Sequence, residues 1–109
     1  MMDKKILVVD DALFMRAMLK KILKDGGFDH ILEALDGEEA CRIYENEKPD
    51  LVLMDISMPK LNGIEALKRI REMNPRAAVI MCSAAGQEAM IMEAMDAGAL
   101  EFIVKPFKP

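Results

Sequence analysis

Five polar residues each stand at the end of a short apolar run. Asp10-Asp11 follow KILVV, Asp55 follows LVLM, Ser83 follows VIMC and Lys105 follows FIV. Taken singly, each has an ordinary reading. Asp11 is a candidate N-cap for a following helix, Ser83 a turn residue, and Lys105 a solvated surface group. If the runs are parallel strands of one sheet, their ends share one edge, and the five residues converge there. Ligands of open α/β sheets bind at that edge, outside the carboxyl ends of the strands. Three carboxylates in one place repel one another and call for a cation. Hard oxygen donors with no His or Cys beside them favour Mg²⁺, or a similar ion such as Mn²⁺, over zinc. Mg²⁺ takes few carboxylates, keeps waters, and shares its shell with phosphate oxygens. Ser83 suits a phosphate oxygen as a hydrogen-bond donor, and Lys105 suits it as a charge. The set fits phosphoryl chemistry, in which a carboxylate can itself be the nucleophile and become an aspartyl phosphate.

The elements that must position these residues can be read from length and punctuation. Apolar runs at 5–9, 30–35, 51–54, 78–82 and 102–104 have strand length. Pro49-Asp50 and Pro75 precede the third and fourth, and Lys105-Pro106 ends the fifth. HILEAL (30–35) is the least apolar of them and is expected at a sheet edge. Between the runs lie helical segments. LFMRAMLKKILKD (13–25) puts Met15, Met18, Leu19, Ile22 and Leu23 on one stripe, with Arg16, Lys20, Lys21 and Lys24 opposite, and Gly26-Gly27 ends it. Asp36 and Glu39 form a capping-box pair for the second helix, and Asn62 and Glu65 form one for the third, which ends near Met73-Asn74-Pro75. Gln87 to Ala97 reads as a fourth helix, closed by Gly98.

The resulting βαβαβαβαβ order predicts an α/β fold: a doubly wound, five-stranded parallel sheet with helices on both faces. A fifth helix should follow KPFKP, and the sequence stops at Pro109 instead. The expectation is one domain, 1–109, shortened after the fifth strand. One sheet face should then be partly bare. Such a chain should be weakly stable, or cover the gap by self-association through that face.

Length and charge narrow the classes. A chain of 109 residues, 52% hydrophobic, supports one core. The net charge of -4 and the lack of a Lys/Arg run argue against nucleic acid as a direct partner. No apolar run approaches the roughly 20 residues of a membrane span. The start, MMDKKILVVDD, is not a signal peptide. Cys41 and Cys82 lack C-x-x-C spacing and read as buried thiols in a reducing, cytoplasmic setting, bacterial or archaeal. No G-x-G-x-x-G follows the first strand and no P-loop is present, which disfavours dinucleotide and nucleotide enzymes.

The motifs LVVDD (7–11), LMDISMPKLNG (53–63), CSA (82–84) and FIVKPF (102–107), in this order and spacing, resemble the receiver domain of two-component response regulators. FMR (14–16) and CSAAGQ (82–87) resemble its single-domain chemotaxis branch. The resemblance spans the whole chain and implies the flavodoxin-like strand order 2-1-3-4-5. It implies that Asp55 accepts a phosphoryl group from a CheA-like histidine kinase. It implies Mg²⁺ ligation by Asp11, Asp55 and the Ser57 backbone carbonyl, with Asp10 acting largely through water. Lys105 then pairs with phosphoryl oxygens, next to a cis bond at Pro106. Ser83 turns toward the phosphate on activation, and Phe102 is the aromatic switch, without the hydroxyl of the commoner tyrosine. Ser57 and Ala85 occupy the variable positions that tune hydrolysis. Ile91, Phe102 and Val104 border the output groove.

The leading functional expectation is therefore a phosphorylation-dependent binding module. It catalyses nothing beyond its own phosphorylation and dephosphorylation. Its output is the flagellar motor switch or a similar motility partner. The alternatives are an isolated receiver domain of a longer, for example transcriptional, regulator, and an aspartyl-phosphate phosphotransferase or phosphatase.

Overall fold

The structure is a computed structural model and describes residues 4–58, 60–84 and 86–104. Five strands alternate with four helices among these residues. The order is β1 (Lys5–Val9), α1 (Leu13–Asp25), β2 (His30–Ala34), α2 (Gly37–Glu47), β3 (Leu51–Asp55), α3 (Gly63–Met73), β4 (Val79–Ser83), α4 (Glu88–Asp96) and β5 (Glu101–Val104). The strands form one sheet in the order β2-β1-β3-β4-β5, with every pairing parallel. The expected fold class and strand order are both present, and HILEAL contributes the edge strand β2.

Alternation along each strand builds two cores. Leu7, Val9, Val52, Met54, Val79 and Met81 pack against α2, α3 and α4 through Tyr44, Leu67, Ile70 and Ala94. Ile6, Val8, Leu53 and Cys82 face the other way and meet Leu19 and Leu23 of α1. Residues buried on both faces explain why the strand sequences read as continuous apolar runs. Ile103 pairs with Cys82 across β4 and β5, on the α1 side, and remains exposed. Both cysteines are buried, as expected. Burial pushes the Cys41 thiol above its ordinary pKa. No helix among the described residues is long and apolar enough to cross a membrane.

Local details depart from the sequence expectations at three points. Arg16 does not lie on the polar face of α1. It is 6% exposed, and it donates from Nη1 to the Asp10 carbonyl at 2.6 Å and from Nε to Glu33 at 2.9 Å. A guanidinium can be buried there because both of its faces of bonding are met by fixed acceptors. Asp36 caps α2 through the Glu39 amide, but the Glu39 carboxylate accepts from Leu35, not from the cap residue's own amide. The N-cap of α1 is Ala12, so Asp11 is not spent on capping. α3 follows its expected cap, with the Glu65 amide donating to Asn62 at 2.9 Å.

Candidate functional site

The carboxyl ends of β1 and β3 are neighbours in the sheet, and this places Asp10, Asp11 and Asp55 together. One carboxylate oxygen from each lies within 4.8 Å of the others. Asp10 and Asp55 are buried, while Asp11 is exposed to solvent. The cluster is thus anchored on its protein side and open on one side. Asp10 is oriented from both ends of its residue. Its side chain accepts the Ala12 amide at 2.9 Å, and its carbonyl accepts Arg16. Arg16 in turn is held by Glu33 of β2, whose carboxyl is drawn below its usual range chiefly by the hydrogen bond from Lys20; burial opposes this, and the hydrogen bond from Arg16 adds a lesser pull downward.

Asp55 is fixed by close backbone packing. The Gly63 amide donates to the Ile56 carbonyl at 2.8 Å. A Cβ on Gly63 would lie 2.9 Å from the Asp55 carbonyl carbon and nearer still to its oxygen. Gly37 makes a similar approach to Leu61. Both glycines open helices directly after a cap residue, in DGEE (36–39) and NGIE (62–65). A glycine inside a helix is otherwise unfavourable, so its recurrence after both caps was the signal of close approach that the sequence reading passed over.

Ser83 ends β4, one residue beyond Cys82, which pairs with Asp55. Its hydroxyl is fully buried and has no hydrogen-bond partner among the described residues. A hydroxyl in that condition carries the desolvation cost of a polar group unless an acceptor comes to it. Ser57, two residues past Asp55, is exposed, and its hydroxyl accepts from Gln87 at 2.9 Å. Gln87 also escaped the sequence reading as a site residue. Lys105, Pro106, Pro59 and Ala85 lie outside the described residues.

On the far side of β4, Ile91 and Met95 of α4 face Phe102 and Val104 of β5 across a groove of about 490 Å³ rimmed by Glu88 and Asp96. The structure therefore brings Ile91, Phe102 and Val104 together, and leaves Phe102 and Val104 exposed. A larger hollow of about 680 Å³ lies at the opposite, amino-terminal edge of the sheet, beside Tyr44, Asp50 and Asn74, away from the carboxylates.

The fold agrees with that of known proteins. A model of the response regulator receiver domain matches residues 6–109. The chain is 54% identical to the chemotaxis protein CheY of Thermotoga maritima, over 99% of this chain and 90% of that one. It is 51% identical to the chemotaxis protein CheY of Bacillus subtilis, over 98% and 89%. Among solved structures, the CheX-CheY-BeF3-Mg+2 complex of Borrelia burgdorferi contains a chain that matches with a TM-score of 0.91 at 42% identity, covering 96% of this chain and 80% of that one.

Proposed function

The chain belongs to the response regulator receiver domain family, and from that membership we propose that it is a phosphorylation-driven switch of a two-component system of the chemotaxis kind. Proteins like it are signalling proteins and not enzymes in the usual sense. The observation that carries the proposal is the trio of carboxylate oxygens within 4.8 Å at adjacent strand ends, beside a buried Ser83 hydroxyl that has no hydrogen-bond partner among the described residues. Hard anionic oxygens at that spacing suit Mg²⁺, held by Asp11, Asp55 and the Ser57 carbonyl, with Asp10 acting through water. A bound Mg²⁺ would neutralise charge on the transferred phosphoryl group.

A carboxylate oxygen of Asp55 attacks phosphorus in line. The donor's bond to phosphorus breaks, and its electron pair leaves on the imidazole of a histidine kinase or on acetate from acetyl phosphate. Arg16 acts by holding the Asp10 carbonyl, and Gly63 by letting α3 press on the Asp55 backbone. The new phosphoryl oxygens give the Ser83 hydroxyl an acceptor, and Lys105 a counter-charge. As Ser83 moves to them, Phe102 turns inward and the groove between α4 and β5 changes shape for a partner such as the flagellar motor switch. Only this difference in contacts between the two states can drive the shift.

Incubation with acetyl phosphate and Mg²⁺, read by intact mass, tests the proposal. The expected result is a single phosphate-sized gain that is absent in Asp55→Ala. An equal gain in that variant, or none in the parent, would refute it.

A further inference from the structure

We propose that Gln87 is a latch holding the resting state, a positioning residue that phosphorylation must displace. The inference rests on the switch reading above. Gln87 is the N-cap residue of α4, yet its side chain makes no capping bond. The carboxamide is used across loops. Its Oε1 accepts the Ala84 amide at 2.6 Å, and its Nε2 donates to the Ser57 hydroxyl at 2.9 Å and to Met90 Sδ at 3.8 Å. One half-buried side chain thus joins the segment after Asp55, the segment after Ser83, and the first turn of α4.

The position of the Ala84 bond sets the direction of the effect. Ala84 follows Ser83, and the two share a backbone link that cannot stretch. In the proposed switch Ala84 moves with Ser83 as its hydroxyl reaches oxygens on Asp55. That movement pulls the Ala84 amide from a short bond, while Ser57 and Met90 hold the carboxamide back. The latch therefore favours the state in which Ser83 has no partner. The same carboxamide carries the release onward. Gln87 heads α4, the helix that supplies Ile91 and Met95 to the groove. A hydrogen bond at one end and the apolar groove at the other are two readouts of one rigid element.

Gln87→Ala removes the bonds to Ala84, Ser57 and Met90 Sδ and costs α4 no capping bond. The probe is beryllofluoride with Mg²⁺, titrated by calorimetry. An ordinary hydrogen bond is worth roughly 3- to 10-fold in an equilibrium constant, so the variant should bind the probe about that much more tightly than the parent. A merely structural role would weaken binding or leave it unchanged, so the sign separates the two. Ser57→Ala should tighten binding less, and the double variant should gain no more than Gln87→Ala alone. In the resting protein, the Ala84 amide should exchange its hydrogen faster in Gln87→Ala. Unchanged or weaker binding by Gln87→Ala, with Asp55 still taking up phosphate from acetyl phosphate, would overturn the latch alone. Unchanged Ala84 exchange would do the same. A parent that takes up neither phosphate nor beryllofluoride would overturn the switch reading, and the latch with it.

Discussion

Replacing Gly63 by alanine tests how Asp55 is held. The new methyl carbon would stand 2.9 Å from both the Asp55 carbonyl carbon and the Ile56 Cα, where ordinary contact begins at 3.4 Å. The Asp55 oxygen would be nearer still. These are backbone atoms, so no side chain can swing aside. Either α3 lifts off or the end of β3 is pushed back, by about an ångström, because the Asp55 oxygen is the nearest atom. α3 is pinned by its Asn62 cap and by Ile64, Leu67 and Ile70, all buried. β3 is pinned by pairing on both sides. Overpacking of this kind costs about 1–3 kcal/mol, and the rigid neighbours place it toward the upper end, about 3 kcal/mol. With a urea m-value near 1.5 kcal/mol/M, the unfolding midpoint should fall by about 2 M. The displaced carboxylate should also react more slowly. Misplacement on the ångström scale costs up to about 100-fold, so the rate of labelling by acetyl phosphate should fall by roughly 10- to 100-fold. Urea melting followed by circular dichroism reads the first effect, and timed intact mass reads the second. If Gly63→Ala melts within 0.5 kcal/mol of the parent and labels at its rate, the close-packing account of Asp55 is wrong. If it is destabilised but labels normally, the strain is absorbed by α3 and not by the site.

Removing the buried Arg16 guanidinium by Arg16→Ala should cost about 2–3 kcal/mol in chemical unfolding, because the Asp10 carbonyl loses a buried charged donor. Arg16→Lys should recover little, since one ammonium cannot span both acceptors. Glu33 has a lowered pKa in the folded chain, so it adds stability above its unfolded value near 4.5, and that increment is lost as pH falls through the lower folded value. Acid titration of stability should therefore be flatter below pH 4.5 in Glu33→Gln than in the parent. Mg²⁺ at ten times its dissociation constant should stabilise the parent by about 1.4 kcal/mol, a rise of several degrees in Tm. Asp11→Asn should melt higher than the parent without metal, because a repelling charge is gone, and should lose most of the Mg²⁺-dependent rise.

The carboxylates and Ser83 were legible because each ends an element whose boundaries were clear, while the groove residues Ile91, Phe102 and Val104 came from the resemblance. Once KILVV, LVLM and VIMC are strands of one parallel sheet, their last residues must share an edge. Caps carried the helices equally well, since Asp36 and Asn62 bond the amides three residues on, as their sequence positions require. What stayed hidden depends on contacts between elements. Arg16 looks like one more cation on a basic stripe until β1 and β2 place a carbonyl and Glu33 beside it. Gly63 looks like a weak first residue of a helix until β3 arrives beneath it. Gln87 reads as the start of a helix, and its bond to Ser57 spans loops that no local pattern links. Strand order itself came from resemblance, because alternation fixes that strands are parallel and not which are neighbours.

The pairing of β1 directly with β3, with β2 set outside both, has a consequence for how signals begin. Asp11 and Asp55 meet only after an intervening strand and two helices have been bypassed. Contacts so far apart along the chain form late and slowly. A nascent chain that has reached α2 carries two of the three acidic residues and cannot assemble the site. Proteolytic pieces that separate the halves are equally silent. On the proposed function, competence to take up phosphate would thereby be tied to completion of the sheet.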